Sequence, residues 1–110
     1  MSTALRASLL LVACIVATSV AHAQDAASLR ARSLAATCAQ CHGTDGRAAE
    51  PGRTAVPPLA GMPADTLVAQ MNAFKTGTRN GTVMPQIAKG FNDAQIAQLA
   101  AWFATAAKSP

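Results

Sequence analysis

Aromatic residues are scarce in this chain: among 110 residues there is no Tyr, one Trp and three Phe. Acidic residues are nearly as few, five against nine Lys and Arg, and the basic residues stand singly along the sequence. Without a basic cluster interleaved with aromatics there is no footprint for a nucleic acid. Cysteine is rare as well. Cys14, Cys38 and Cys41 are too few for a secreted scaffold held by several bridges. No apolar run reaches the roughly 20 residues that a membrane-spanning helix needs, the longest being Ala7 to Val20.

That run has the marks of a targeting segment. Arg6 precedes it, and Ala21-His22-Ala23 follows as a small-x-small cleavage site, so residues 1–23 read as a signal peptide and 24–110 as one mature domain. A competing reading takes Leu11-Val12-Ala13-Cys14 as a lipoprotein box that would lipidate Cys14 and tether the protein to a membrane. The apolar stretch that continues through Val20, and the conventional site after it, favour ordinary cleavage after Ala23. Processing leaves 87 residues, with eight Lys and Arg against five Asp and Glu, a net charge of +3. At that size a hydrophobic core alone gives marginal stability, so something is expected to staple the fold. No spanning segment is expected in the mature chain.

No stretch shows strand alternation, and three stretches show helical spacing. The first is expected to start at an Asp25 cap and run through Leu29 and Leu34 toward Cys38, with Arg30 and Arg32 on its outer side. The second opens at Pro63, repeats Leu67, Met71 and Phe74, and stops at Gly77. The third has an Asn92 cap with Gln95 three residues on, a Phe91 and Ile96 staple, and an apolar face of Ile96, Leu99, Trp102 and Phe103. Between them lie a long irregular segment, Gly43 to Gly61, with four glycines and three prolines, and a second loop, Thr78 to Gly90. The expectation is a small all-α domain with large loops, which a bound flat cofactor would justify.

The sharpest signal is Cys38-Ala39-Gln40-Cys41-His42, the attachment pattern of a c-type haem. Thiols three residues apart fall on one side of a helical turn, where they add to two vinyl groups, and the adjoining imidazole reaches the iron. The motif consumes both mature cysteines and the one mature histidine. Rival uses fit less well. A thioredoxin-type redox disulfide would come with a strand–helix–strand pattern, which is missing. A structural zinc site would be one ligand short.

Three methionines compete for the second axial position. Met71 lies on the apolar face of the second helix, where core packing explains it. Met62 precedes that helix, in a segment the chain needs to travel round the haem edge. Met84, in Gly81-Thr82-Val83-Met84-Pro85, is best placed to approach the open haem face, with Pro85 stiffening the approach. His42 and Met84 together saturate the iron and favour the ferrous state, leaving no position for substrate: a one-electron carrier rather than an enzyme. An open distal position would instead make the chain a haem sensor or peroxidase-like protein.

With these residues in place the sequence resembles class I cytochromes c over the whole mature chain. Cys38 to Gly46, Pro57-Pro58-Leu59-Ala60-Gly61, Phe74 to Arg79 and Met84 to Gly90 resemble one bacterial subfamily, which includes the cytochrome subunit of flavocytochrome c sulfide dehydrogenase. The resemblance implies a periplasmic protein with redox partners, among them a flavoprotein dehydrogenase subunit. It also implies that Pro57 offers its carbonyl to the ligand histidine and that Met84 binds iron. Trp102 stands where relatives often carry Tyr, and there is a single haem motif where many have two.

Overall fold

Helical periodicity and turn residues account for most of the architecture. The computed structural model describes residues 3–47 and 56–106, with side chains from His22 onward. The Cys14 side chain, and residues 48–55 of the expected irregular segment, lie outside the described residues. The chain divides into two units, Met1–Arg30 and Ala31–Pro110. Among the described residues no helix is long and apolar enough to cross a membrane.

Helix α1 covers Thr3–His42, and its first part forms the first unit. Asp25 is therefore inside a helix rather than capping one. The residues before it already supply the hydrogen-bonding ladder, and its carbonyl accepts a bond from Ser28 Oγ at 3.0 Å. Leu29 is also not a core residue, being 62% exposed.

The second unit contains the end of α1, a 3₁₀ turn at Thr44–Gly46, and helices α2 (Ala64–Thr76), α3 (Met84–Lys89) and α4 (Asp93–Ala106). Pro63 is the residue just before α2 rather than its first residue, and its carbonyl accepts the Leu67 N–H at 3.1 Å. Gly77 closes α2 in the left-handed region, φ 81°, which glycine adopts without a Cβ penalty. Leu67 and Met71 form the buried face between those ends.

The segment expected as a loop from Thr78 to Gly90 instead contains α3. Six residues are too few to show a period. Pro85 supplies the local cause, since its fixed φ suits a first helical turn. Ala88 on this helix is fully buried. Lys75 holds the ends of the segment together: its Nζ donates to the Phe91 carbonyl at 2.7 Å and lies 3.3 Å from Asp93 Oδ1.

Helix α4 starts as its sequence signature requires. The Gln95 N–H donates to Asn92 Oδ1 at 2.8 Å, and the Asn92 N–H donates to Gln95 Oε1 at 2.9 Å. Ile96, Leu99, Ala100, Phe103 and Ala106 are buried along it and share one core with Ala35, Leu67, Met71 and Ala88. Phe91 packs against that core, and Trp102 is partly buried with its Nε1 left without a hydrogen-bond partner.

Gly46 joins the 3₁₀ turn to this core. Its carbonyl accepts the N–H groups of Leu59 and Ala60 at 2.8 and 3.0 Å, and the Gly61 N–H reaches the Phe103 carbonyl at 2.8 Å. A Cβ on Gly46 would meet Leu59 Cβ at 2.8 Å and the Phe103 ring at 2.9 Å, at φ +73°. Only glycine fits such a position without displacing its neighbours.

Candidate cofactor site

The last turn of α1 presents Cys38 and Cys41 on the wall of an apolar cavity of about 350 Å³ within the second unit. Helical geometry makes this possible, because residues three apart lie on the same face. No disulfide joins the two thiols, and Cys38 is half-buried and Cys41 exposed. Burial pushes the Cys38 thiol above its ordinary range; the Thr37 hydroxyl, 3.9 Å from its Sγ, partly opposes this, and Cys41 adds to it. That direction is opposite to the depressed thiol of a redox-active Cys-x-x-Cys pair.

His42 follows directly and also lines the cavity. At 8% exposure it is the buried polar side chain of this core, and its Nδ1 lies 2.8 Å from the Pro57 carbonyl oxygen. A carbonyl can only accept, so Nδ1 carries a proton, and in the neutral imidazole Nε2 is then the nitrogen with the lone pair. Fixing the tautomer through the second nitrogen is how proteins prepare histidine to bind a metal.

The three methionines weighed in the sequence all reach the cavity. Met71 is buried on α2 as part of the core. Met62 is partly buried in the turn before α2, its N–H bonded to the Leu59 carbonyl at 3.0 Å. Met84 is partly buried at the first position of α3, not in an extended loop. The cavity therefore collects Cys38, Cys41, His42, Met62, Met71 and Met84 on one surface, with Leu59, Leu67, Phe74, Leu99 and Phe103 giving it apolar walls. Among the described residues no Asp or Glu lines it. Paired thiols, one imidazole with a free nitrogen, thioether sulfurs and apolar walls suit a flat, mostly apolar iron macrocycle.

Residues 29–107 match the cytochrome c family. The chain belongs to that family. As a cytochrome c it is a haem protein of electron transfer, and membership implies covalently bound haem c. The cytochrome is 33% identical over 79 residues to the cytochrome subunit of sulfide dehydrogenase from Chlorobaculum tepidum, covering 72% of this chain and 68% of that one. It is 40% identical over 68 residues to cytochrome c-552 of Acidithiobacillus ferridurans, covering 62% of this chain and 28% of that one. It is 39% identical over 71 residues to the thiosulfate dehydrogenase electron acceptor of Thiomonas intermedia, covering 63% of this chain and 31% of that one. This cytochrome thus matches only about a third of the length of two of these three relatives.

One side of the cavity was not visible in the sequence. Gln70, Arg79, Asn80 and Thr82 line it, and Arg79 Nη1 donates to Gln70 Oε1 at 2.6 Å. Arg79 closes the Phe74 to Arg79 stretch that carries part of the family resemblance, but neither periodicity nor that resemblance marks it as facing inward.

Proposed function

We propose that this cytochrome holds one haem c, attached through Cys38 and Cys41 and ligated by His42 and Met84, and passes single electrons to and from protein partners. The observation that carries this reading is the 2.8 Å contact from His42 Nδ1 to the Pro57 carbonyl on a cavity wall that also bears both thiols. It supports His42 as a ligand by leaving Nε2 free. Among the methionines, Met71 is accounted for by the core and Met62 by its turn, while Met84 opens a short helix whose position Pro85 and Lys75 define.

When bound, the haem supplies an iron that alternates between ferric and ferrous forms. The chain's own part is to hold that iron on two sides, keep water from it and limit rearrangement as its charge changes. Leu67, Phe74, Leu99 and Phe103 provide the dry walls. With His42 and Met84 both holding the iron, it would have no place left for a substrate.

The segment 1–23 acts as a signal peptide cleaved after Ala23, delivering the chain to the periplasm. There the partner is a dehydrogenase for which this chain is the electron acceptor, as carrier or as subunit. The names of two relatives, a sulfide dehydrogenase subunit and a thiosulfate dehydrogenase electron acceptor, support that class of partner.

Intact-mass measurement of the exported protein tests the reading. A single covalent haem adds about 616 Da to the chain beginning at Gln24. An unmodified mass from a host competent in haem attachment defeats the proposal, and ready binding of carbon monoxide by the unmutated protein defeats the six-coordinate part of it.

A further inference from the structure

The cavity is chemically lopsided. Among the described residues its walls carry no carboxylate and one cationic side chain, Arg79. The polar residues Gln70, Asn80 and Thr82 line it too, two of them within three residues of Arg79 in sequence. An apolar cavity that keeps one guanidinium on its wall is built for a ligand that is mainly apolar with an anionic end.

Arg79 is also held in place. Its Nη1 donates to Gln70 Oε1 at 2.6 Å, its guanidinium carbon sits 4.6 Å from the centre of the Phe74 ring, and its N–H bonds the Ala73 carbonyl at 3.0 Å. Stacking on an aromatic face and a neutral amide partner orient a guanidinium without consuming its charge. Among the described residues the ion pair is Lys75 with Asp93, so no described carboxylate neutralises Arg79. A planar fork of donors, pre-oriented and unneutralised, matches a carboxylate.

We infer that Arg79, positioned by Gln70 and Phe74, is the anchor for a propionate carboxylate of the haem. The inference rests on the haem reading above and adds a residue to it. By keeping that propionate ionised and offsetting its charge, Arg79 raises the reduction potential and places the propionate's protonation at lower pH. Among the described residues the other titratable groups on the wall are Cys38, Cys41 and His42, all committed to holding the haem in this reading. Lys75 is engaged instead by the Phe91 carbonyl and Asp93.

The test is the reduction potential of the holoprotein followed against pH, after mass and visible spectrum have established that each variant carries haem. In Arg79→Gln the potential falls and the inflection moves upward by about one pH unit or more, since an opposite charge nearby lowers a carboxyl pKa by about 1 to 3 units. Arg79→Lys returns the inflection part of the way. Lys89→Gln removes the same formal charge from an exposed site outside the cavity and leaves the inflection in place. Should Arg79→Gln not mature, Gln70→Ala, which keeps the charge but frees the guanidinium, moves the inflection upward by less. Curves for Arg79→Gln, or failing it Gln70→Ala, that superimpose on the unmutated protein overturn the anchor, as does an equal shift in Lys89→Gln. A haem-free unmutated protein overturns the haem reading itself.

Discussion

His42 and Pro57 meet through a 2.8 Å hydrogen bond from the imidazole Nδ1–H to a backbone carbonyl fifteen residues away. The acceptor belongs to the backbone, so no side-chain change at residue 57 deletes it, but the ring of Pro57 restricts the conformations in which that carbonyl faces the imidazole. Pro57→Gly releases the restriction. The His42 Nδ1 proton is then expected to exchange with solvent about fivefold faster, the equivalent of losing a bond of about 1 kcal/mol. Proton exchange followed by NMR on the holoprotein checks this, and an unchanged rate shows that the carbonyl is held by something other than the proline.

The three cavity-lining methionines separate on substitution. Met84→Ala is expected to abolish the red-edge charge-transfer band of the ferric protein, lower its potential and allow carbon monoxide to bind. Met62→Leu and Met71→Leu keep the band, with Met71→Leu costing under about 1.5 kcal/mol as a swap of similar volume in the core. Loss of the band in Met62→Leu with its survival in Met84→Ala would reassign the ligand.

Gly46 admits no side chain. Gly46→Ala combines a left-handed backbone with contacts of 2.8 and 2.9 Å to Leu59 and Phe103. A destabilisation of about 2 to 5 kcal/mol follows from the backbone penalty of about 1 to 2 and overpacking of about 1 to 3. Guanidinium unfolding of the holoprotein measures it, and a loss below about 0.5 kcal/mol would mean that the turn relaxes freely.

The capping box of α4 is expected to contribute less. Asn92→Ala removes the side-chain acceptor of the Gln95 N–H and costs about 1 kcal/mol, while Asn92→Ser retains most of that. The same unfolding experiment distinguishes the two variants.

Export supplies a separate check. Sequencing of the mature amino terminus is expected to begin at Gln24, and Cys14→Ser leaves processing and solubility unaltered. Incorporation of labelled fatty acid that disappears in Cys14→Ser would establish a lipid anchor instead.

Much of this fold is written in signals that survive without tertiary context. The Asn92 and Gln95 pair, Gly77 at the end of α2, and the apolar spacing of Leu67 and Met71 act locally, and each appears where the pattern places it. The paired thiols and His42 are equally legible because their chemistry fixes their spacing. What escaped has no local signature. Helix α3 is shorter than two turns, and Ala35, Ala88, Ala100 and Ala106 are buried in the core although hydrophobic periodicity of large residues does not register them. Asp25 misled for the opposite reason: a good cap residue does not start a helix that is already under way. Arg79 faces the cavity because the chain after α2 turns back on Phe74, a turn that hydrophobic periodicity does not register.

The clasp between Lys75 and the Phe91 carbonyl has a mechanical consequence. It spans sixteen residues of sequence and closes them into a ring that contains both Arg79 and Met84. Shutting such a ring carries an entropic cost that grows only slowly with its length, so one charge-assisted bond goes far toward keeping it shut. Met84 is thus tethered from behind, and a lysine that does not itself line the cavity governs how far that arm can swing.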